Sequence, residues 1–155
     1  MNDFKAEPLE LREAMLKAAN QVLESGWYVL GNKCKQFEEQ WSTVCGLGHG
    51  IGVANGMDAI EIALLGLSIG RGDEVITTPM TAFATILAII RSGAKPVLAD
   101  IDSETALLSI ESVRRSLTAN TKAVVLVHLY GQVRQMDEWV NFCEENKIML
   151  IEDCA

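Results

Sequence analysis

The segment with the clearest chemical potential is a short polar turn, Asn55-Gly56-Met57-Asp58, which precedes a helical pattern. Residues 51–53 are typical of the end of a buried strand, and apolar residues recur at i, i+3, i+4 and i+7 from Ile60. The first N–H groups of a helix have no internal partners, and the helix dipole adds positive charge there. The turn therefore predicts an anion site, most simply a phosphate cradle. An ordinary strand–helix connection that binds nothing is the alternative.

A second candidate, Asp153, follows the apolar run 148–151, which is predicted to be a buried strand. A carboxylate in such a position needs a cationic or hydrogen-bond-donating partner to offset its lost hydration. That partner is either a ligand or the backbone of the following turn, which aspartate side chains commonly cap. Position alone leaves both interpretations open.

Three other polar residues follow predicted strands. Asp100 and Asp102 could hold a divalent cation, although carboxylates in such turns more often cap backbone groups or face solvent. His128 follows a strand that should be central, and a structural histidine is favoured over a catalytic one. We predict no metal site.

Continuous apolar runs alternate with helical patterns along most of the chain, which predicts an α/β fold. Runs without strict alternation are typical of a mostly parallel sheet covered by helices on both faces. The predicted strands are residues 51–53, 74–78, 96–100, 122–127 and 148–151. Ligands of such sheets bind at the carboxyl ends of the strands, where the polar turns described above would meet.

Local signals predict several helix ends. Two helices precede the first predicted strand, and the earlier one begins with Pro8 and ends at Gly26. Thr81 is predicted to cap a helix that runs to Ile90. Because that helix is apolar nearly all round, we expect it to be buried on both sides.

A loop between the first two helices carries two large aromatic side chains. Trp27 and Tyr28 lie between Gly26 and Gly31. Aromatic residues on a loop either pack as a plug or line a binding site.

Composition narrows the class of protein. The 155 residues are enough for one domain with a hydrophobic core, and a formal net charge of −8 disfavours a nucleic-acid surface. No apolar run is long enough for a membrane span, and the polar residues after Met1 do not resemble a secretory signal. Four widely spaced cysteines are typical of thiols in a reducing compartment, so we expect a cytoplasmic protein.

Short motifs in order along nearly the whole chain resemble the DegT/DnrJ/EryC1/StrS sugar aminotransferases. Each motif is weak alone, and their shared order makes the resemblance specific. The motifs are residues 25–31 (SGWYVLG), 37–38 (FE), 53–59 (VANGMDA), 72–76 (GDEVI), 81–85 (TAFAT), 96–102 (PVLADID), 128–132 (HLYGQ) and 151–155 (IEDCA).

The resemblance implies a fold-type I enzyme with the aspartate-aminotransferase fold that uses pyridoxal 5'-phosphate. It implies transfer of an amino group, usually from glutamate, to a nucleoside-diphosphate-linked keto sugar, for lipopolysaccharide or antibiotic sugars. It also implies a homodimer, and the net charge and hydropathy described above predict no nucleic-acid or membrane partner. The implied cofactor-binding residues are Gly56, Met57, Asp58, Phe83 and Asp153.

Each implied residue has a stated task. Backbone N–H groups of Gly56, Met57 and Asp58 would hold the cofactor phosphate, and Phe83 would stack on the pyridine ring. Asp153 would pair with the pyridine nitrogen and so keep it protonated.

The resemblance also implies substrate contacts and a domain division. Trp27 and Tyr28 would lie near the sugar-nucleotide substrate. Residues 1–155 would be the amino-terminal portion of the large cofactor-binding domain, with the rest of that domain and the small carboxyl-terminal domain absent. The family's Schiff-base lysine lies downstream of the Glu152-Asp153-Cys154-Ala155 motif, so we expect the 155-residue chain alone to be inactive. The alternatives are a family member with another reaction, such as dehydration, and a non-catalytic fragment.

Overall fold

A computed structural model describes residues 4–155, which divide into two compact units at Gly52. The first unit holds a 3-10 turn and two helices: Phe4–Ala6, α1 (Leu9–Ser25) and α2 (Asn32–Val44). The second unit holds four strands and four helices, with a further 3-10 turn at Leu129–Gly131. In chain order these are α3 (Gly56–Gly66), β1 (Glu74–Thr77), α4 (Phe83–Arg91), β2 (Lys95–Leu98), α5 (Ile110–Ser116), β3 (Thr121–Val127), α6 (Met136–Asn146) and β4 (Met149–Asp153).

The four strands form one parallel sheet in the order β2-β1-β3-β4. Val75 of β1 pairs with Pro96 of β2 and Ala123 of β3, and Val125 of β3 pairs with Ile151 of β4. Because all four strands run the same way, their carboxyl ends lie along one edge of the sheet.

Helices cover both faces of this sheet. On one face, buried side chains of β1 and β3 pack with α5 and α6, including Ile76, Leu126 and Trp139. On the other face, Val75 and Val125 pack with apolar side chains of α3 and α4. Successive strand residues point to opposite faces, so a strand covered on both sides must be apolar throughout. The predicted α/β class and the parallel sheet are confirmed.

The predicted strand at residues 51–53 is wrong. The segment is irregular, and Ile51 is 81% exposed. The backbone N–H of Gly52 donates to the Glu38 carboxylate at 2.7 Å instead of to a neighbouring strand. Glycines at 48, 50 and 52 also weaken strand formation. The short apolar run at residues 51–53 therefore forms a connection and not a paired strand.

Two helix predictions also need correction. Thr81 does not cap α4, because Ala82 precedes the helix without a side-chain hydrogen bond and the Thr81 hydroxyl contacts Thr85 instead. Burial of α4 on both sides is wrong as well: Ala88 and Ile89 are buried, whereas Ile90 is 51% exposed. An apolar composition does not by itself supply a covering element for every face.

The ends of α1 agree with the predicted signals to within one residue. Pro8 lies just before the first helical residue, as its missing N–H and fixed φ allow. Gly26 ends the helix in the left-handed region, with φ of 66°. No helix in the described residues 4–155 is both long enough and apolar enough to cross a membrane.

A buried carboxylate, that of Glu74, links β1 to β2 and to the loop before β3. Glu74 accepts hydrogen bonds from Lys95 Nζ at 2.8 Å and from the Thr118 hydroxyl at 2.6 Å. The bond from Lys95, followed by the bond from Thr118, holds the pKa of Glu74 below its usual range. A lowered pKa means that the folded state favours the ionised carboxylate.

We expect Glu74→Gln to remove a pH-dependent part of the stability. The contribution of Glu74 is present above the carboxyl pKa of the unfolded chain and is lost as pH falls through the lower pKa of the folded chain. The difference in free energy of unfolding between wild type and Glu74→Gln should therefore shrink between about pH 6 and about pH 3. Urea titrations of the complete protein across this range measure it. A difference that stays constant with pH would contradict the assignment.

Candidate functional site

Two backbone donors are exposed at the start of α3. Asn55 caps the helix, since its Oδ1 accepts the N–H of Asp58 at 2.9 Å and its carbonyl accepts the N–H of Ala59 at 3.1 Å. The N–H groups of Gly56 and Met57 have no hydrogen-bond partner among residues 4–155. These two groups carry the positive end of the helix dipole, so they can bind an anion.

Asp58 is engaged in the cap itself. Its N–H donates to Asn55, its Oδ2 accepts from Asn55 Nδ2 at 3.0 Å, and its Oδ1 lies 3.8 Å from Arg91 of α4. Arg91 is held in turn by Glu61, with Nε and Oε2 2.8 Å apart. A phosphate contact from Asp58 stays a prediction, and in this structure its N–H is already taken.

Asp153 ends β4 and has protein donors at both carboxylate oxygens. Its Oδ2 accepts from the Thr85 hydroxyl at 3.0 Å, and its Oδ1 accepts from the Ala155 N–H at 3.2 Å. The bond from Ala155 is the turn cap that the sequence analysis gave as one alternative for Asp153. The bond from Thr85 comes from α4. Each oxygen retains a further lone pair for a donor.

The start of α3 and the end of β4 are neighbours. A Cβ placed on Gly56 would lie 3.8 Å from the Cβ of Ala155, two residues after Asp153. The free N–H groups of α3 and the Asp153 carboxylate therefore belong to neighbouring segments at the carboxyl edge of the sheet, where the architecture predicts a site.

Phe83 is the first residue of α4, two positions before Thr85. Its side chain is 69% exposed and belongs to neither hydrophobic cluster of the sheet. An exposed aromatic ring at the start of a helix can stack on a flat heterocycle. The stacking role stays a prediction.

His128 is buried and bonded at the same edge. Its ring Nε2 lies 2.9 Å from the Glu152 carboxylate, and its backbone N–H donates to the Asp153 carbonyl at 2.9 Å. Cys154 brings a sulfur within 4.8 Å of these two ligand atoms, which is a possible donor set for a metal ion. One hydrogen bond accounts for the His128–Glu152 distance, whereas the buried ring Nδ1 has no hydrogen-bond partner among the described residues, so the structural role of His128 stays a prediction.

The Asp102 carboxylate closes a turn. Its Oδ1 accepts from the backbone N–H groups of Glu104 and Thr105 and from the Thr105 hydroxyl, at 3.1, 2.9 and 3.0 Å. The Thr105 N–H contributes most to holding the pKa of Asp102 below its usual range. Asp102 therefore caps backbone groups, which is the commoner role of a carboxylate in such a turn. Asp100 is exposed to solvent.

Trp27 and Tyr28 belong to the first unit. They line a cleft of about 320 Å³ together with residues at the end of α1 and the start of α2. The Tyr28 hydroxyl donates to the Leu23 carbonyl at 3.2 Å, and both rings are more than half exposed. A Cβ on Gly31 would lie 2.9 Å from the Trp27 carbonyl, so only glycine fits this tight loop. The loop lines an open cleft in the first unit, and its role in binding stays a prediction.

Sequence reasoning missed two residues of this edge, Thr85 and Glu152. Thr85 is 1% exposed and bonds to Asp153, and Glu152 bonds to His128. The signal for Thr85 was the pair of threonines at i and i+4, since such residues lie on one face of a helix. Nothing local marked its bond to a residue 68 positions away.

Groups at the carboxyl edge of this α/β sheet are of the types that bind a flat anionic ligand. Two free helix N–H groups suit a phosphate, Phe83 suits a ring, and Asp153 suits a cationic ring nitrogen. A comparison with protein families matches residues 9–155 to the DegT/DnrJ/EryC1/StrS aminotransferase family. The chain belongs to this family, which confirms the resemblance seen in its motifs.

Relatives of known sequence cover the whole described chain. A dTDP-3-amino-3,6-dideoxy-alpha-D-galactopyranose transaminase from Aneurinibacillus thermoaerophilus is 39% identical over 153 residues. That alignment spans 99% of this chain and 42% of the relative. The chain therefore spans well under half the length of this transaminase.

Solved structures agree. DesV from S. venezuelae matches with a TM-score of 0.93 at 38% identity, covering 97% of this chain and 41% of DesV. NtdA from Bacillus subtilis, solved with the bound cofactor PMP, matches with a TM-score of 0.89 at 32% identity. This match covers 94% of this chain and 34% of NtdA.

Proposed function

We propose that this chain is the amino-terminal portion of the large cofactor-binding domain of a nucleotide-sugar aminotransferase. The complete protein would transfer an amino group, usually from glutamate, to a keto sugar linked to a nucleoside diphosphate. Family membership supports the reaction class, and the named transaminase from A. thermoaerophilus supports a nucleotide-linked sugar. The single observation that carries the proposal is that the start of α3, with its two free N–H groups, lies beside the segment that follows Asp153.

The residues present fit pyridoxal 5'-phosphate. The N–H groups of Gly56 and Met57 would hold its phosphate, with Asp58 keeping the helix start in place through its cap with Asn55. Phe83 would cover its ring, and Asp153 would accept from its ring nitrogen. When bound, this cofactor acts as an electron sink for the substrate carbon that loses a proton.

Each residue here binds or orients, and none supplies the proton transfer. Asp153 holds a proton on the ring nitrogen, because a carboxylate stabilises the cationic form of a neighbouring base. Trp27 and Tyr28 would contact the sugar-nucleotide substrate from the cleft of the first unit. The family's lysine lies beyond the Glu-Asp-x-Ala motif, so we propose that residues 1–155 alone do not transfer amino groups.

Binding of pyridoxal 5'-phosphate to the complete protein tests the proposal. Titration followed by absorbance should give saturable binding at one site per chain. Inorganic phosphate should compete, because it would occupy the same helix start. Binding that phosphate does not weaken, or no binding at all, would contradict the proposed site.

Two further properties belong to the proposal. We propose that the complete protein is cytoplasmic and a homodimer, as the resemblance implies. Several large apolar side chains of the first unit are more than half exposed, and Leu16, Phe37 and Trp41 are examples. Exposed apolar surface of this kind suits a contact region. Sedimentation equilibrium of the complete holoenzyme should give twice the mass of one chain, and a monomer would contradict the dimer.

A member of the family with another reaction, such as dehydration, is the second candidate. Both reactions would use the same cofactor site, so the product that forms distinguishes them. Formation of an amino sugar supports the transaminase, and loss of water from the same nucleotide sugar supports the dehydratase.

A further inference from the structure

A buried threonine of α4 holds the carboxylate at the end of β4. Thr85 is 1% exposed, and its hydroxyl lies 3.0 Å from Asp153 Oδ2. Four residues earlier, in the turn before α4, the Thr81 hydroxyl lies 2.9 Å from the Thr85 hydroxyl. The three side chains form a continuous chain of hydrogen bonds from the turn before α4 to the sheet edge.

The direction of this chain follows from the charge at its end. An ionised carboxylate only accepts hydrogen bonds, so the single proton of the Thr85 hydroxyl must point at Asp153. The Thr85 hydroxyl has no second proton, so in its contact with Thr81 its oxygen must accept and the Thr81 hydroxyl must donate. Both hydroxyl dipoles therefore point towards the carboxylate, and each strengthens the next.

This arrangement differs from the usual behaviour of a helical threonine. Such a hydroxyl commonly bonds back to the carbonyl three or four residues earlier and serves only its own helix. Within the described chain, the Thr85 hydroxyl bonds to no backbone carbonyl and reaches Asp153, 68 positions away. A valine would fill the same space in a buried site without desolvating a hydroxyl, so a role limited to packing does not require threonine.

We propose that Thr85, supported by Thr81, is a positioning residue that fixes the orientation of the Asp153 carboxylate towards the ring nitrogen of the cofactor. This inference rests on the proposed function. Thr85 holds Oδ2 while the Ala155 N–H holds Oδ1, so the carboxylate plane cannot rotate without losing a bond. A fixed plane keeps the remaining lone pairs aimed at one position, which reduces the reorganisation needed on binding.

The test compares two ligands that differ only at the ring nitrogen. Pyridoxamine 5'-phosphate carries the nitrogen, and its analogue with CH in that place cannot bond to Asp153. The complete protein is assayed for equilibrium binding of both ligands, as wild type, Thr85→Val and Thr85→Ser. Thr77→Val is the matched control, since Thr77 is also fully buried at this edge and its hydroxyl donates to the Val125 carbonyl at 3.0 Å.

We expect Thr85→Val to raise the dissociation constant of pyridoxamine 5'-phosphate about fivefold, as for loss of one preorganised hydrogen bond. The same variant should change the dissociation constant of the CH analogue less than about twofold. Thr85→Ser keeps the hydroxyl and should bind both ligands like wild type. Thr77→Val should preserve the wild-type preference for the nitrogen-containing ligand, whatever its effect on thermal stability.

Three results overturn the inference in distinguishable ways. If Thr85→Val weakens the binding of both ligands equally, Thr85 is only structural. The same conclusion holds if Thr85→Val fails to fold and Thr85→Ser loses the preference for the ligand with the ring nitrogen. If Thr85→Val keeps the full wild-type preference, Thr85 does not position Asp153, and the proposed function stands. If wild type binds neither ligand, or does not prefer the ring nitrogen, the proposed function fails together with the inference.

Discussion

Replacing Asp153 with asparagine in the complete protein is expected to slow amino transfer about a hundredfold, or about 3 kcal/mol in the barrier. Asparagine has nearly the same shape and can still accept a hydrogen bond. It lacks the negative charge that favours a protonated ring nitrogen, so the site loses electrostatic stabilisation where charge develops. Single-turnover rates with saturating cofactor measure the effect.

The control for Asp153→Asn is the folded state itself. The amide oxygen can keep the bond from the Ala155 N–H, and the amide NH₂ can donate to the Thr85 hydroxyl, so the thermal midpoint should change far less than the rate. Turnover at the wild-type rate with cofactor bound would mean that Asp153 only caps its turn. A large loss of stability would instead assign Asp153 to folding.

Replacing Met57 with proline is expected to weaken cofactor binding about thirtyfold, or about 2 kcal/mol, as for loss of a hydrogen bond to a charged group. Met57 is the second residue of α3, and its N–H has no partner in the described part of the chain. Proline is tolerated in the first turn of a helix, so the substitution removes one donor without removing an internal helix bond. The dissociation constant of pyridoxal 5'-phosphate measures the effect.

Met57→Ala is the matched variant for this experiment. It keeps the N–H and removes the side chain, so we expect the dissociation constant to change less than about threefold. Thermal midpoints of both variants report any damage to α3. Equal weakening by alanine and proline would show that the methionine side chain, not its N–H, makes the contact.

Much of the fold could be predicted from the sequence because most strands are continuous apolar runs with polar residues at their ends. Thr121–Val127 is apolar after its second residue and bounded by polar residues, which identifies a strand buried on both faces. Residues 51–53 carry a similar local pattern and form no strand. Strand formation also needs a neighbour to take the backbone bonds, and a local window of sequence does not say which segment that is.

The positions of the candidate site residues could be predicted from the sequence, whereas the hydrogen bonds that hold them could not. Asn55 and Gly56 indicate the start of a helix, and Asp153 stands out as a polar residue after an apolar strand. The bonds from Thr85 to Asp153 and from His128 to Glu152 join residues far apart in sequence. The first bond depends on α4 lying close to β4, and the second depends on the pairing of β3 with β4. A local sequence pattern does not encode either arrangement.

The most direct test of the central claim is to follow the nitrogen atom. The complete protein, loaded with pyridoxal 5'-phosphate, is given ¹⁵N-labelled glutamate and a panel of nucleoside-diphosphate-linked keto sugars. We predict that ¹⁵N appears in one nucleotide-linked amino sugar at a rate that Asp153→Asn lowers about a hundredfold. A cofactor-loaded protein that moves no ¹⁵N to any sugar of the panel would contradict the account.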